Sequence, residues 1–85
     1  MDAEYVVNKL GSNKDIATGK FQFENASQLK SKILGLKIQK GYAAMVTVPD
    51  EIPRKLIPIV KELKLLLGSQ YSVAQNGYVI AIEKR

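Results

Sequence analysis

The sequence predicts one α+β domain spanning residues 1–85, with two helices packed on one face of a four- to five-stranded mixed sheet. Three observations support this fold class. Runs with apolar residues at every second position alternate with two runs of helical spacing. An Asn-Gly pair near the C-terminus predicts a closing hairpin. The chain is 46% hydrophobic and 25% charged, a composition typical of globular domains. The expected element order is (β)βαβαββ.

The first elements are two strands that form a hairpin. Glu4–Leu10 is rich in β-branched and aromatic residues, and Ile16–Phe23 places its phenylalanines at period two. Between them, Gly11–Asp15 is a cluster of turn-forming residues. The sequence leaves open whether residues 1–24 are ordered on the domain or form a mobile hairpin.

A first helix follows, with Asn25 or Ser27 as its N-cap. Either of two residues is a candidate for the end of this helix. Gly35 could terminate it, or it could continue to Gly41 with Gly35 inside at a cost of about 1 kcal/mol. We favour the longer helix. Its apolar face consists of Leu29, Ile33 and Leu36.

Tyr42–Val48 is the clearest strand, and a second helix follows it. Pro53 suits a first helical turn, but Pro58 would break an established helix. The regular helix therefore either begins near Lys55 or kinks at Pro58, and Gly68 ends it. One wide apolar face is formed by Ile52, Leu56, Ile59, Val60, Leu63, Leu66 and Leu67.

The C-terminal hairpin is predicted from Asn76-Gly77, a signature of the type I′ turn. This turn would place Ala74 opposite Val79 and Tyr71 opposite Ile82. Alternation then assigns the larger apolar side chains of the hairpin to the helix side. That set consists of Tyr71, Val73, Tyr78, Ile80 and Ile82.

The opposite sheet face is expected to carry small, weakly apolar side chains and little charge, which is typical of a contact surface. We predict that it contacts a second copy, a partner protein, or the N-terminal hairpin folded over it. The alternative is a sheet face that only carries small residues and binds nothing. The predicted partner-binding residues are Ala43, Met45, Thr47, Ala74, Val79 and Ala81.

The chain contains no histidine, cysteine or tryptophan. Histidine is the usual proton shuttle near neutral pH, and cysteine and histidine supply most zinc sites. We therefore predict a non-enzymatic protein without metal or cofactor. The one adjacent acidic pair, Asp50-Glu51, sits where negative charge stabilises a helix N-terminus. A cysteine-free chain without a signal peptide or apolar span predicts a cytoplasmic protein that does not bind membranes.

Positive charge is concentrated on the predicted helical segments. The formal net charge is +5, with +4 over residues 30–40 and +3 over residues 54–64. Clustered cations favour DNA or RNA as partners, with little sequence preference because lysine contacts phosphate as a point charge. The alternative is a lysine-rich solvated surface. The predicted nucleic-acid-binding residues are Lys30, Lys37, Lys40, Arg54, Lys55, Lys61 and Lys64.

The order of elements over residues 16–85 resembles three families. Two are the C-terminal domain of bacterial translation initiation factor three and the Alba chromatin proteins, and both imply nucleic-acid binding. The third is the TusA and SirA sulfur carriers, which Val46–Asp50 and Asn76–Lys84 broadly resemble. Those carriers act through a cysteine at the first helix start, and this chain has none, so the resemblance does not extend to sulfur transfer.

Overall fold

The computed structural model describes residues 1–85 and contains five strands and two helices in the order ββαβαββ, as predicted. A short 3₁₀ turn, Gly68–Gln70, follows the second helix. The elements are β1 (Asp2–Lys9), β2 (Asp15–Gln22), α1 (Ala26–Gly35), β3 (Tyr42–Thr47), α2 (Pro53–Leu67), β4 (Tyr71–Asn76) and β5 (Val79–Lys84).

All five strands form one antiparallel sheet in the order β2-β1-β3-β5-β4, so the predicted mixed sheet is wrong. The two helical crossovers do connect strands of the same direction, β2 with β3 and β3 with β4. However, β1 lies between the first pair and β5 lies between the second. Each crossover therefore skips one antiparallel strand, and no two parallel strands are hydrogen-bonded neighbours.

The core lies between the helices and one face of the sheet. It contains Leu29 and Ile33 of α1, the main apolar stripe of α2, and alternate residues of the central strands. The third residue of the predicted α1 face, Leu36, lies just beyond the helix and is only partly buried. Alternation along the strands leaves the other sheet face uncovered by any helix. The largest fully buried side chains are Phe23, Leu29, Ile33, Leu56, Leu63, Ile80, Ile82, Val46 and Val48.

Helix α1 begins at an Asn25 cap, whose Oδ1 accepts a hydrogen bond from the Gln28 backbone N–H at 2.9 Å. It ends at Gly35, so the prediction of a longer helix to Gly41 is wrong. The chain turns through Lys37, whose φ of 53° is left-handed, and returns Ile38 to the core with 4% exposure. A continued helix would have kept Ile38 off the apolar face, so burial of this side chain opposes the longer helix.

Helix α2 begins at Pro53 in its first turn and continues through Pro58 to Leu67. Of the two predicted alternatives, a start near Lys55 is wrong, and the helix contains Pro58 in its interior as the other alternative requires. Pro58 has no N–H to donate to the Arg54 carbonyl, so the helix lacks one internal hydrogen bond there. Gly68 ends the helix with a φ of 74°, as predicted.

The C-terminal hairpin has a different turn from the predicted one. Gly77 and Tyr78 are the two turn residues, and Asn76 pairs with Val79. Only Gly77 has a positive φ, 62°, which is typical of a type II′ turn rather than type I′. The register is shifted by two residues, so Tyr71 faces Lys84. A shift of two preserves the sheet faces, but Tyr78 lies at an exposed turn instead of on the core side.

Candidate functional site

The uncovered sheet face, called the outer face below, has an uncharged centre. In its middle row, Val6 pairs with Met45, Met45 with Ala81, and Ala81 with Ala74. Met45 is 41% exposed. The charged side chains of the outer face lie nearer the ends and margins of that face. All six predicted partner-binding residues lie on this face: Ala43, Met45, Thr47, Ala74, Val79 and Ala81.

The N-terminal hairpin does not fold over the outer face, because β1 is an inner strand of the sheet. Next to the irregularity between Val7 and Asn8, the Asn8 Oδ1 is buried without a hydrogen-bond partner. The Asn8 amide nitrogen donates to the Asp15 carboxylate at 3.3 Å. The outer face therefore remains open, and the unpaired Asn8 Oδ1 lies beneath it without access to solvent.

The predicted helical cations do not form one continuous surface. On α1, Lys30 and Lys32 are two residues apart and so lie on opposite flanks of the helix. On α2, Arg54 and Lys61 share one side because they are seven residues apart, while Lys55 lies about 100° around the helix from Arg54. The helices therefore divide the predicted set into separate groups.

One end of the domain collects a larger group of cations, and we call it the basic end. It is the end at which β1 and β5 finish, β3 and β4 begin, and the last turn of α2 leads through Gly68–Gln70 into β4. The Leu10 backbone N–H donates to the Gly41 carbonyl at 2.9 Å and joins the β1–β2 turn to the start of β3. The basic end contains Lys9, Lys14, Lys32, Lys37, Lys40, Lys64, Lys84 and Arg85.

Cations and tyrosines alternate along the rim of the sheet at the basic end. Lys9 faces Tyr42 across β1 and β3, and Lys84 faces Tyr71 across β5 and β4. The Lys84 Nζ lies 5.7 Å from the centroid of the Tyr71 ring, within the range of a cation–π contact. Both tyrosines are half-buried and pack against the core. The tyrosine rings are therefore not free stacking platforms.

Almost none of the thirteen cations is engaged in a salt bridge. The only salt bridge joins the Lys20 Nζ to the Glu4 carboxylate at 3.7 Å, and both side chains are largely exposed. This pair lies at the opposite end of the domain, where Asp2, Asp50 and Glu51 also lie. At the basic end only Asp15 and Glu83 are acidic. The domain is therefore electrically polarised from end to end.

Three of the seven predicted cations, Lys37, Lys40 and Lys64, belong to the basic end. Of the other four, Lys30 lies on α1, Arg54 and Lys55 lie in the first turn of α2, and Lys61 lies near the middle of α2. The sequence prediction missed the cations contributed by strand ends, Lys9, Lys84 and Arg85. The hairpin register would have indicated Lys84, because the correct turn pairs it with Tyr71. Lys9 needed the β1–β3 pairing, which has no local signal in the sequence.

Compared with family models, curated proteins and solved structures, the chain matches none. The resemblances in element order remain predictions. Neither helix has the length and apolar composition required to cross a membrane. No three acidic side chains gather closely enough to hold a metal ion.

Proposed function

We propose that this protein binds nucleic acid through the phosphate backbone, and that the basic end is its contact surface. The observation that carries the proposal is the grouping at one end of eight cations from separate segments, none of them in a salt bridge. Cations outside salt bridges are available to bind phosphate and to release the counterions condensed on a polyanion.

The positive charge of the basic end exceeds the opposing charges there. The C-termini of α1 and α2 contribute roughly half a negative charge each, and two carboxylates add to them. Lys32 and Lys64 lie in the last turns of α1 and α2, close to these helix termini. The remaining cations, on the strand ends and the connecting loops, still leave a clear excess of positive charge for an external anion.

The proposed recognition has little sequence preference. Seven of the eight cations are lysines, which contact phosphate without the bidentate geometry needed to read a base edge. Arg85 is the one arginine at this end. If four phosphates are contacted, raising the salt concentration fourfold weakens binding to duplex DNA by about a hundredfold.

A matched pair of charge-reversal variants tests the proposal. Lys37→Glu with Lys40→Glu changes the basic end, and Lys20→Glu with Lys55→Glu makes the same change in net charge elsewhere. We measure fluorescence anisotropy with labelled 20-base-pair duplex DNA and with single-stranded RNA. The first variant is expected to lose at least tenfold in affinity, and the second less than threefold. Equal losses, or no binding by the unaltered protein at low salt, would contradict the proposal.

The outer face supports a second candidate function, self-association or binding of a partner protein. Its apolar centre has no covering element, and Met45 projects from it with 41% exposure. A charge placed there would oppose burial of the face. If the chain dimerises through this face, Met45→Glu is expected to convert the dimer to a monomer in sedimentation experiments. An unaltered protein that is already monomeric would contradict self-association.

A further inference from the structure

Strand β4 forms one open edge of the sheet and lacks the usual protection of an edge strand. Its sequence, Tyr71–Asn76, contains no charged residue and no proline, and its pairing with β5 is regular. The other edge strand, β2, carries Asp15, Lys20 and Gly19, and its pairing with β1 has an irregularity. Charges, prolines and bulges are the common devices that keep sheet edges from pairing. Only β4 is therefore ready to accept another strand.

The backbone groups available at this edge follow from the turn. The two residues that flank a two-residue turn, Asn76 and Val79, exchange backbone hydrogen bonds, and bonding alternates along the strands. The N–H and C=O groups of Val73 and Gln75 therefore point away from β5. No backbone hydrogen bond outside the helices and the sheet involves either residue. These groups can bond an added strand.

Positive charge lies beside the same edge. Helix α2 packs against both α1 and β4, and the Gln75 side chain donates to the Pro53 carbonyl at 2.9 Å. On one flank of α2, Ile59 is half-buried and packs on the core, as expected of the side that meets α1. The opposite flank exposes Ile57, Lys61 and Lys64. That flank therefore lies above β4 and faces the space that a sixth strand would occupy.

We propose that the β4 edge binds an extended acidic segment of a partner protein as an added antiparallel strand. Residues of that segment opposite Val73 and Gln75 would project to the helix side, because paired residues share a face. Acidic side chains at these alternate positions would reach Lys61, and small neutral ones between them would extend the outer face beside Ser72 and Ala74.

Charge favours this partner over a second copy of the chain. Pairing β4 with its own copy would bring the Lys61 flanks of two α2 helices together across the two-fold axis, and the chains each carry a net charge of +5. Like charges brought together at an interface oppose association. An acidic strand would satisfy the same backbone groups and neutralise the flank.

The probe is a capped, fluorescent eight-residue peptide in which glutamate alternates with valine. Binding is measured by anisotropy, and amide NMR shifts locate it on the full chain. Lys61→Glu is expected to weaken binding at least fivefold, while Lys55→Glu, the same change on the opposite flank, has less than a twofold effect. N-methylation of the glutamates, whose N–H groups face β4, is expected to abolish binding. N-methylation of the valines is expected to be tolerated.

Several outcomes would overturn the proposal. One is no binding of the unmodified peptide at millimolar concentration. Others are equal losses for Lys61→Glu and Lys55→Glu, or tolerance of methylated glutamates, since these would indicate non-specific charge attraction without strand pairing. If the free protein sediments as a dimer that neither the peptide nor Met45→Glu dissociates, the edge would be assigned to a second copy. None of these results depends on whether the basic end binds nucleic acid.

Discussion

Gly19 and Tyr5 form a pair whose coupling can be measured. They lie directly opposite each other on β2 and β1. A Cβ atom added at Gly19 would lie 2.6 Å from the Tyr5 Oη and 2.7 Å from two ring carbons, whereas ordinary contact begins at 3.4 Å. The Tyr5 ring is also close to the Phe21 ring, with centroids 5.9 Å apart, so it has little room to move away from an added Cβ atom.

The expected cost of Gly19→Ala follows from these distances. Overpacking of this size costs about 1–3 kcal/mol. Loss of glycine freedom in the unfolded chain stabilises by about 0.4–1 kcal/mol. We therefore expect a net destabilisation of about 0.5–2 kcal/mol. In a Tyr5→Ala background the clash is absent, so the same substitution should stabilise the protein by about 0.4–1 kcal/mol.

The assay is urea unfolding of the four proteins of the double-mutant cycle, with the slope of each transition checked for two-state behaviour. Gly35→Ala is the control, because an added Cβ there has no neighbour within 4 Å, and it should stabilise. The reasoning is refuted if Gly19→Ala changes the free energy of unfolding equally with and without the Tyr5 ring.

Two further substitutions test the turn that follows α1 and the N-cap of α1. Lys37→Gly should raise the urea midpoint, because relief of a left-handed φ of 53°, about 1–2 kcal/mol, exceeds the added unfolded-state entropy of about 0.5–1 kcal/mol. Lys40 does not have a left-handed φ, so the control Lys40→Gly should lower the urea midpoint. If both substitutions lower the midpoint, Lys37 is not strained. Asn25→Ala should cost about 1 kcal/mol through loss of the N-cap. Asn13→Ala is the control. Equal losses of unfolding free energy for the two substitutions would contradict a capping role for Asn25.

Local pattern predicted which segments form strands and helices and which side chains they bury. Period-two alternation correctly separated Val46 on the core side from Met45 on the outer face. The helical spacing of Leu29 and Ile33 correctly identified the buried face of α1. These features depend on residues close together in the chain, because backbone geometry alone sets which neighbours share a face.

The candidate surfaces were predictable to different extents. The part of the outer face on β3, β4 and β5 follows from alternation within each strand. The part on β1 and β2, which includes Val6, Thr18 and the Lys20–Glu4 pair, was missed because the place of the N-terminal hairpin was open. The basic end was predicted in part. Its lysines come from segments far apart in the chain, and Lys9 and Lys84 join it only through strand pairing.

Short-range periodicity and turn chemistry were thus sufficient for the element order and for the division of each strand into a buried and an exposed face. They could not supply the strand order, the hairpin register or the end of α1. Those features depend on competition between distant contacts. β1 and β5 occupy the spaces between the crossover strands, the Val48 N–H donates to the Tyr78 carbonyl at 2.9 Å, and Ile38 returns to the core. Local alternatives of nearly equal energy are resolved by packing that forms only when the whole chain is folded.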